Sequence, residues 1–104
     1  MNIFENIPDP LDEEFFETLE EKGNLRIERI VSRGHATPPG EWLSRKNTEW
    51  VILLEGEAEL SFEADGSRVK MSRGDHLLIE PGIRHRVEYT SKDRDTLWLA
   101  VHFE

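Results

Sequence analysis

From Leu25 to Phe103 the sequence is a succession of short runs, strand-like in length and most of them alternating apolar with polar residues, with glycine turn dipeptides between several of them. The runs are "EWVILL", "EAELSF", "SRVKM", "HLLIE", "HRVEYT" and "TLWLAVHF", and the turns are Glu55-Gly56, Asp65-Gly66, Gly74-Asp75 and Pro81-Gly82. A period of two puts successive side chains on opposite faces of an extended chain. Short strands at regular spacing with no helix between them predict an antiparallel sandwich or barrel. Asp65-Gly66, between Phe62 and Val69, predicts a hairpin with a positive φ, most simply at Gly66.

The runs differ in how they present their faces. In "EAELSF" Ala58, Leu60 and Phe62 face one way, and Glu57, Glu59 and Ser61 are expected to face water. In "WVILL" and "TLWLAVHF" both faces are apolar: Val51 and Leu53 on one side of the first, Trp50, Ile52 and Leu54 on the other. A strand apolar on both faces is covered on both faces. The interior covers one; the other calls for an amino-terminal element or a second copy of the chain, so a homodimer is expected.

Ahead of Gly23 the pattern predicts a helix. Asp9 suits the N-cap, Pro10 the first helical position, and Asp12, Glu13 and Glu14 the positive end of the dipole. Leu11, Phe15 and Leu19 recur every four residues, Phe16 widens their stripe, and Gly23 is the stop. Residues 1–23 are therefore expected to form a short helical segment packed on a barrel made by residues 24–104. Past Gly23, Leu25 and Ile27 alternate with Arg26 and Glu28, while "SRGHATPPGEWLSRKN", with two prolines and two glycines, reads as loop or bulged edge.

At 104 residues the chain is one domain, able to bury about two-thirds of its unfolded surface. It has no cysteine, which excludes disulfides, thiolate ligands and a thiol nucleophile and makes the cytoplasm the expected compartment. No apolar run approaches the ~20 residues of a membrane helix, and "MNIFENIPDP" lacks the basic-then-apolar order of a signal peptide, so no membrane partner is expected. The 22 acidic and 13 basic side chains leave a net charge of -9, which repels phosphate backbones and argues against nucleic acid.

Two spacings within the strand region carry more. Gly74, five residues "DHLLI", then Glu80, Pro81, Gly82 and His85 follow the order G-x5-P-x-G-x2-H, with Glu80 where proline is usual. Glu49 and Gly56 bracket "WVILLE" in the order E-x6-G. In these two motifs, and over residues 25 to 103, the chain resembles the cupins, all-β proteins of the antiparallel jelly-roll barrel type. The wording "EWVILLEGEAEL", "RHRVEYT" and "LWLAVHF" is similar to small single-domain bacterial cupins, most of them without an assigned function.

The resemblance implies a pocket inside the barrel with Glu49 and His85 on its wall. Metal-binding cupins supply two further histidines, spaced H-x-H, shortly before the glutamate of the first motif. Here those positions fall on Trp42 and Ser44, or on Leu43 and Arg45, none of them a ligand of the required kind. A first-row metal usually needs three or more side-chain donors, and Arg45 adds a charge that opposes a cation. The expectation is a degenerate site at Glu49 and His85, holding zinc, manganese, iron or nickel weakly if at all. His102, which shares a strand face with Trp98 and Ala100, or His35 in the loop, would be the residue to complete it. Ligand contacts are expected from Glu49, His85, Tyr89, Trp98 and His102. His76, on a face with Leu78, reads as a packed strand residue. No serine has the partners of a nucleophilic triad.

The expected function is the binding of a small polar molecule in the pocket. Two alternatives stand beside it: a metal-dependent isomerase or dioxygenase whose site is completed by His35, His102 or water, and a structural dimer with a filled interior.

Overall fold

The strand periods are realised in a computed structural model that describes all of residues 1–104. Its strands are β1 (Phe15–Lys22), β2 (Leu25–Ser32), β3 (Thr48–Glu55), β4 (Ala58–Phe62), β5 (Arg68–Met71), β6 (His76–Ile79), β7 (His85–Thr90) and β8 (Thr96–Phe103). They form a five-stranded sheet in the order β1-β2-β8-β3-β6 and a three-stranded sheet in the order β5-β4-β7, with every pairing antiparallel. The core lies between the two sheets. Val51, Leu53, Ile79, Trp98 and Ala100 of the larger sheet meet Ala58, Leu60 and Met71 of the smaller, and Ile30, Phe62, Val69 and Leu77 pack around them.

The predicted amino-terminal helix is absent: residues 15–22 are the edge strand β1. A spacing of four is close to one helical turn but is also two strand periods, so Phe15, Glu17 and Leu19 become the half-buried positions while Phe16, Thr18 and Glu20 are exposed. The backbone of β2 decides the matter. It offers β1 a run of antiparallel partners from Phe15↔Val31 to Lys22↔Leu25, with a bulge at Leu19, and Gly23 (φ +57°) makes a tight turn between the strands. The acidic residues read as favouring a helix dipole continue as Glu17, Glu20 and Glu21, charges that discourage another chain from pairing with this edge. Residues 1–14 run irregularly over the sheet, pinned by the buried Arg29, whose guanidinium donates to the carbonyls of Ile3, Glu5 and Asn6 and pairs with Glu17 at 2.7 Å.

In β2 the polar residues other than Arg29 turn inward. Arg26, Glu28, Ile30 and Ser32 sit opposite His102, Ala100, Trp98 and Thr96 of β8, and directly opposed residues share a face. Leu25 and Ile27 point to the outer side, with Val101 of β8 and Trp50 of β3 in the same row. Ser61 also departs from its expected exposure; it is buried, and its hydroxyl donates to Glu88 Oε2 at 2.6 Å. That hydrogen bond, with Arg86 and Arg68 adding their charge against some desolvation, holds the Glu88 carboxyl below the usual carboxylate range.

Other expectations hold. Gly66 has φ +69° in the β4–β5 hairpin, where its N–H donates to the Phe62 carbonyl. The Pro- and Gly-containing stretch 33–47 is a strap lying along the free edge of β7. Leu43 and His85 exchange backbone hydrogen bonds of 2.6 and 2.9 Å, Thr37 bonds Val87, and Thr90 Oγ1 donates to the His35 carbonyl. Arg86 ties the strap down by donating to the carbonyls of Thr37, Pro38 and Glu41. On the outer face of the larger sheet Trp50, Ile52, Leu54, Leu99, Val101 and Phe103 remain half-exposed and Leu78 is 50% exposed, with no helix to cover them.

Candidate functional site

The site is assembled from strand register. Glu49, the second residue of β3, pairs with His102 of β8 on one side and Ile79 of β6 on the other, so Glu49 and His102 share the inner face of the sheet. Glu28 lies on the same face one strand further on, diagonal to His102. His85 arrives from the other layer as the first residue of β7, fixed by its two backbone bonds to Leu43 and by its ring, whose Nδ1 is 3.0 Å from the Ile83 carbonyl. Phe62 packs beside that ring at 6.3 Å between centroids. The result is a row of buried ionisable groups: Glu28 and Glu49 are 7% exposed, His85 3% and His102 4%.

Glu49 is the centre of the row. Its Oε1 is 3.9 Å from His85 Nε2 and its Oε2 is 3.8 Å from His102 Nε2. Arg45 Nε stands 3.9 Å from Oε1. His102 Nε2 is closer to Glu28 Oε1, at 3.3 Å, and Arg26 lies 4.0 Å from the other oxygen of Glu28. The His102 hydrogen bond holds the Glu28 carboxyl below the usual carboxylate range, Arg26 and Arg45 act the same way, and burial opposes them.

These contacts assign tautomers. A carbonyl only accepts, so His85 carries its proton on Nδ1, which donates to Ile83. A neutral His85 then presents the Nε2 lone pair toward Glu49. His102 must carry hydrogen on Nε2 to bond Glu28. Glu49 therefore has a lone-pair nitrogen of His85 on one side and an N–H of His102 on the other.

What lies there is a cavity of about 220 Å³ inside the barrel. Glu49, His85 and Trp98 line it, with Arg45, Glu14 and Glu41 as further charged groups and Val51, Leu60, Ile79 and Val87 as apolar wall. Trp98 is held by its Nε1–H, which donates to Ser32 Oγ at 3.3 Å, and Ser32 in turn donates to Glu14. A cavity largely apolar with a few converging polar groups is the usual form of a small-molecule site.

Three of the five residues expected to touch a ligand thus share one cavity: Glu49, His85 and Trp98. His102 backs Glu49 but opens onto a different cleft. Tyr89 is not brought to the site. It is 44% exposed and lines a separate depression with Glu59 and Lys70, because the bulge in β7 at Glu88 resets the face its side chain takes. His35 is also elsewhere, its Nδ1 accepting the Arg33 N–H and its Nε2 3.2 Å from the Asp12 carbonyl. His76 packs on the outer face, 5.7 Å from the Trp50 ring. Glu28 and Glu14 were not singled out from sequence. The only signal for Glu28 was a strand apolar on its other face as well, which leaves the inward side undetermined.

The donor set does not fit a metal. No three His, Asp or Glu side chains come together in a way that could hold an ion. The Nε2 of His102, the nitrogen nearest Glu49, is engaged with Glu28 at 3.3 Å.

A cupin-domain family model matches residues 31–102, which includes both motifs and every member of the buried row except Glu28. The chain belongs to the cupin family. Solved structures agree. A protein of Ralstonia eutropha JMP134 to which a mannose-6-phosphate isomerase activity is ascribed is 39% identical, with a TM-score of 0.95 over 100% of this chain and 96% of that one. An RmlC-like cupin from Desulfovibrio desulfuricans is 20% identical with a TM-score of 0.78, covering 99% of this chain and 93% of its own. A cupin superfamily protein from Desulfitobacterium hafniense DCB-2 is 15% identical with a TM-score of 0.75, covering 93% and 83%. No curated protein matches the sequence. No helix in this cupin is long and apolar enough to cross a membrane.

Proposed function

We propose that this cupin binds a small polar molecule in its barrel cavity and holds it against Glu49 and His85. The observation that carries the reading is the buried carboxylate set between two imidazoles at the wall of that cavity. A buried charge costs free energy unless it is partnered, and here the partners at 3.8–3.9 Å are too distant to satisfy it by direct hydrogen bonds. A hydroxyl of a ligand supplies the missing donor, while Val51, Leu60 and Trp98 take its apolar side. The test is a thermal-shift screen with mannose, mannose 6-phosphate and small hydroxy acids on the wild type, Glu49→Gln and His85→Gln. A compound that raises the wild-type midpoint and leaves both variants unmoved supports the reading. A panel in which every effect survives both substitutions overturns it.

A second reading is favoured by one specific observation, the full-length likeness to the Ralstonia protein. Isomerisation of a sugar phosphate moves a proton between adjacent carbons, which needs a group that takes it and gives it back. Glu49, with imidazoles on either side to share the proton, is placed for that work. Incubation of mannose 6-phosphate in deuterated water tests it: deuterium at C2 in the wild type and none with Glu49→Gln supports an isomerase, and no exchange in either leaves binding alone.

A further inference from the structure

We propose a second site, an anion subsite for the phosphate of a small molecule, in the polar cleft where the β1–β2 turn meets the last residues of the 33–47 strap. The cleft has a volume of about 480 Å³ and is open to solvent. Arg26, Arg45, Lys46, Asn47 and His102 line it, and Glu21 is its single carboxylate. In a chain whose net charge is -9, three cations and one anion at one small opening form a local reversal of charge. Such a reversal attracts anions that the rest of the surface repels.

The cations are also uncommitted. Arg26 approaches Glu28 only to 4.0 Å, and Arg45 approaches Glu49 only to 3.9 Å, both beyond hydrogen-bonding distance. Five other arginines are occupied: Arg29 and Arg86 each serve three carbonyls, and Arg33, Arg68 and Arg84 each donate to a carboxylate at 2.6–2.8 Å. A guanidinium group offers a planar fork of N–H donors, the geometry that matches two oxygens of a phosphate. Glu28 and Glu49 stand behind the two arginines without taking up those donors.

The position gives the site a use. Arg45 lines both this cleft and the barrel cavity, and His102 on the cleft side is 3.8 Å from Glu49 on the cavity side. An anion held here sits on the far side of the same buried row. A small phosphate ester is favoured over a polyanion, because the charge reversal is confined to one cleft on an otherwise acidic chain.

The assignment does not depend on occupancy of the barrel cavity, and the experiment separates the two. Calorimetric titration with inorganic phosphate and with glycerol 2-phosphate, at ionic strength held constant with chloride, is run on the wild type and on Arg45→Gln, Lys46→Gln, Arg73→Gln and Glu49→Gln. Saturable binding is expected in the wild type. Arg45→Gln and Lys46→Gln should each weaken it about tenfold, equivalent to about 1.4 kcal/mol, while Arg73→Gln, outside the cleft, retains it and Glu49→Gln, which disables the cavity and removes the carboxylate 3.9 Å from Arg45, retains or tightens it. Tighter binding of glycerol 2-phosphate than of phosphate identifies an ester as the ligand, and equal binding identifies the free ion. Failure to saturate, or an equal loss in Arg73→Gln, overturns the proposal.

Discussion

Replacement of Gly56 by alanine should damage this protein far more than the same change at Gly66. Both glycines have positive φ, +88° at Gly56 and +69° at Gly66. A Cβ on Gly66 would meet nothing within 4 Å, so alanine there carries only the conformational cost of the left-handed region, ~1 kcal/mol. A Cβ on Gly56 would stand 2.4 Å from Thr96 Oγ1, 2.6 Å from Thr96 Cα and 2.8 Å from the Asp95 carbonyl oxygen. Two of those atoms are backbone at the start of β8, so rotating a side chain does not relieve the clash. Forcing them apart adds ~1–3 kcal/mol of overpacking, and losing the hydrogen bond from Thr96 Oγ1 to the Glu57 carbonyl (3.2 Å) adds ~1 kcal/mol. The sum, ~3–5 kcal/mol, is a large part of the 5–15 kcal/mol (roughly) that holds a domain of this size folded. Urea unfolding followed by tryptophan fluorescence measures both variants. Gly56→Ala should lose about three to five times as much stability as Gly66→Ala, or fail to fold. Equal midpoints would refute the steric reasoning and show that β8 yields at Thr96.

The half-exposed outer row Trp50, Ile52, Leu99 and Val101, with Leu78 beside it, should be covered by a second copy, so sedimentation at micromolar concentration should give about twice the chain mass; a clean monomer there would refute this. Because the His102 hydrogen bond lowers the Glu28 pKa, Glu28 stabilises the fold fully above its unfolded value near 4.5, and that contribution is lost as pH falls through the lower folded value. Urea midpoints measured down to pH 3 should therefore drop, and Glu28→Gln should flatten the drop; an unchanged slope would show that the pair is not coupled to folding. Zinc or manganese should perturb Glu49 and His85 only at micromolar concentrations or above, and metal that survives dialysis against a chelator in stoichiometric amount would contradict the donor set described above.

Much of this was legible in the sequence for a physical reason. Strands β3 to β8 follow from alternation and glycine turns, because a strand covered on at least one face must alternate or be apolar throughout. Glu49 and His85 follow from the two motif spacings, and His102 from sharing a face with Trp98 and Ala100. The failures are equally physical. Leu11, Phe15 and Leu19 satisfy a helix and a strand at once, and only a neighbouring edge, not visible locally, selects the strand. Arg26 and Glu28 look like a solvated face until β8 places His102 opposite Arg26 and diagonal to Glu28. Tyr89 was carried toward the pocket by nearness in sequence, and a single bulged residue turned it away.

Imidazole NMR examines Glu49 as the hub of the buried row. Long-range ¹H–¹⁵N spectra of the wild type and Glu49→Gln resolve four histidines. His85 should appear as the Nδ1–H tautomer or its protonated form, and its ring signals and those of His102, 3.9 and 3.8 Å from Glu49, should both move in the variant. His35, held at Arg33 and Asp12, and His76, on the outer face, should stay where they are. A His85 whose signals are untouched by the loss of Glu49, or that shows the Nε2–H tautomer, would contradict the site and leave that histidine a strand residue with no part in binding.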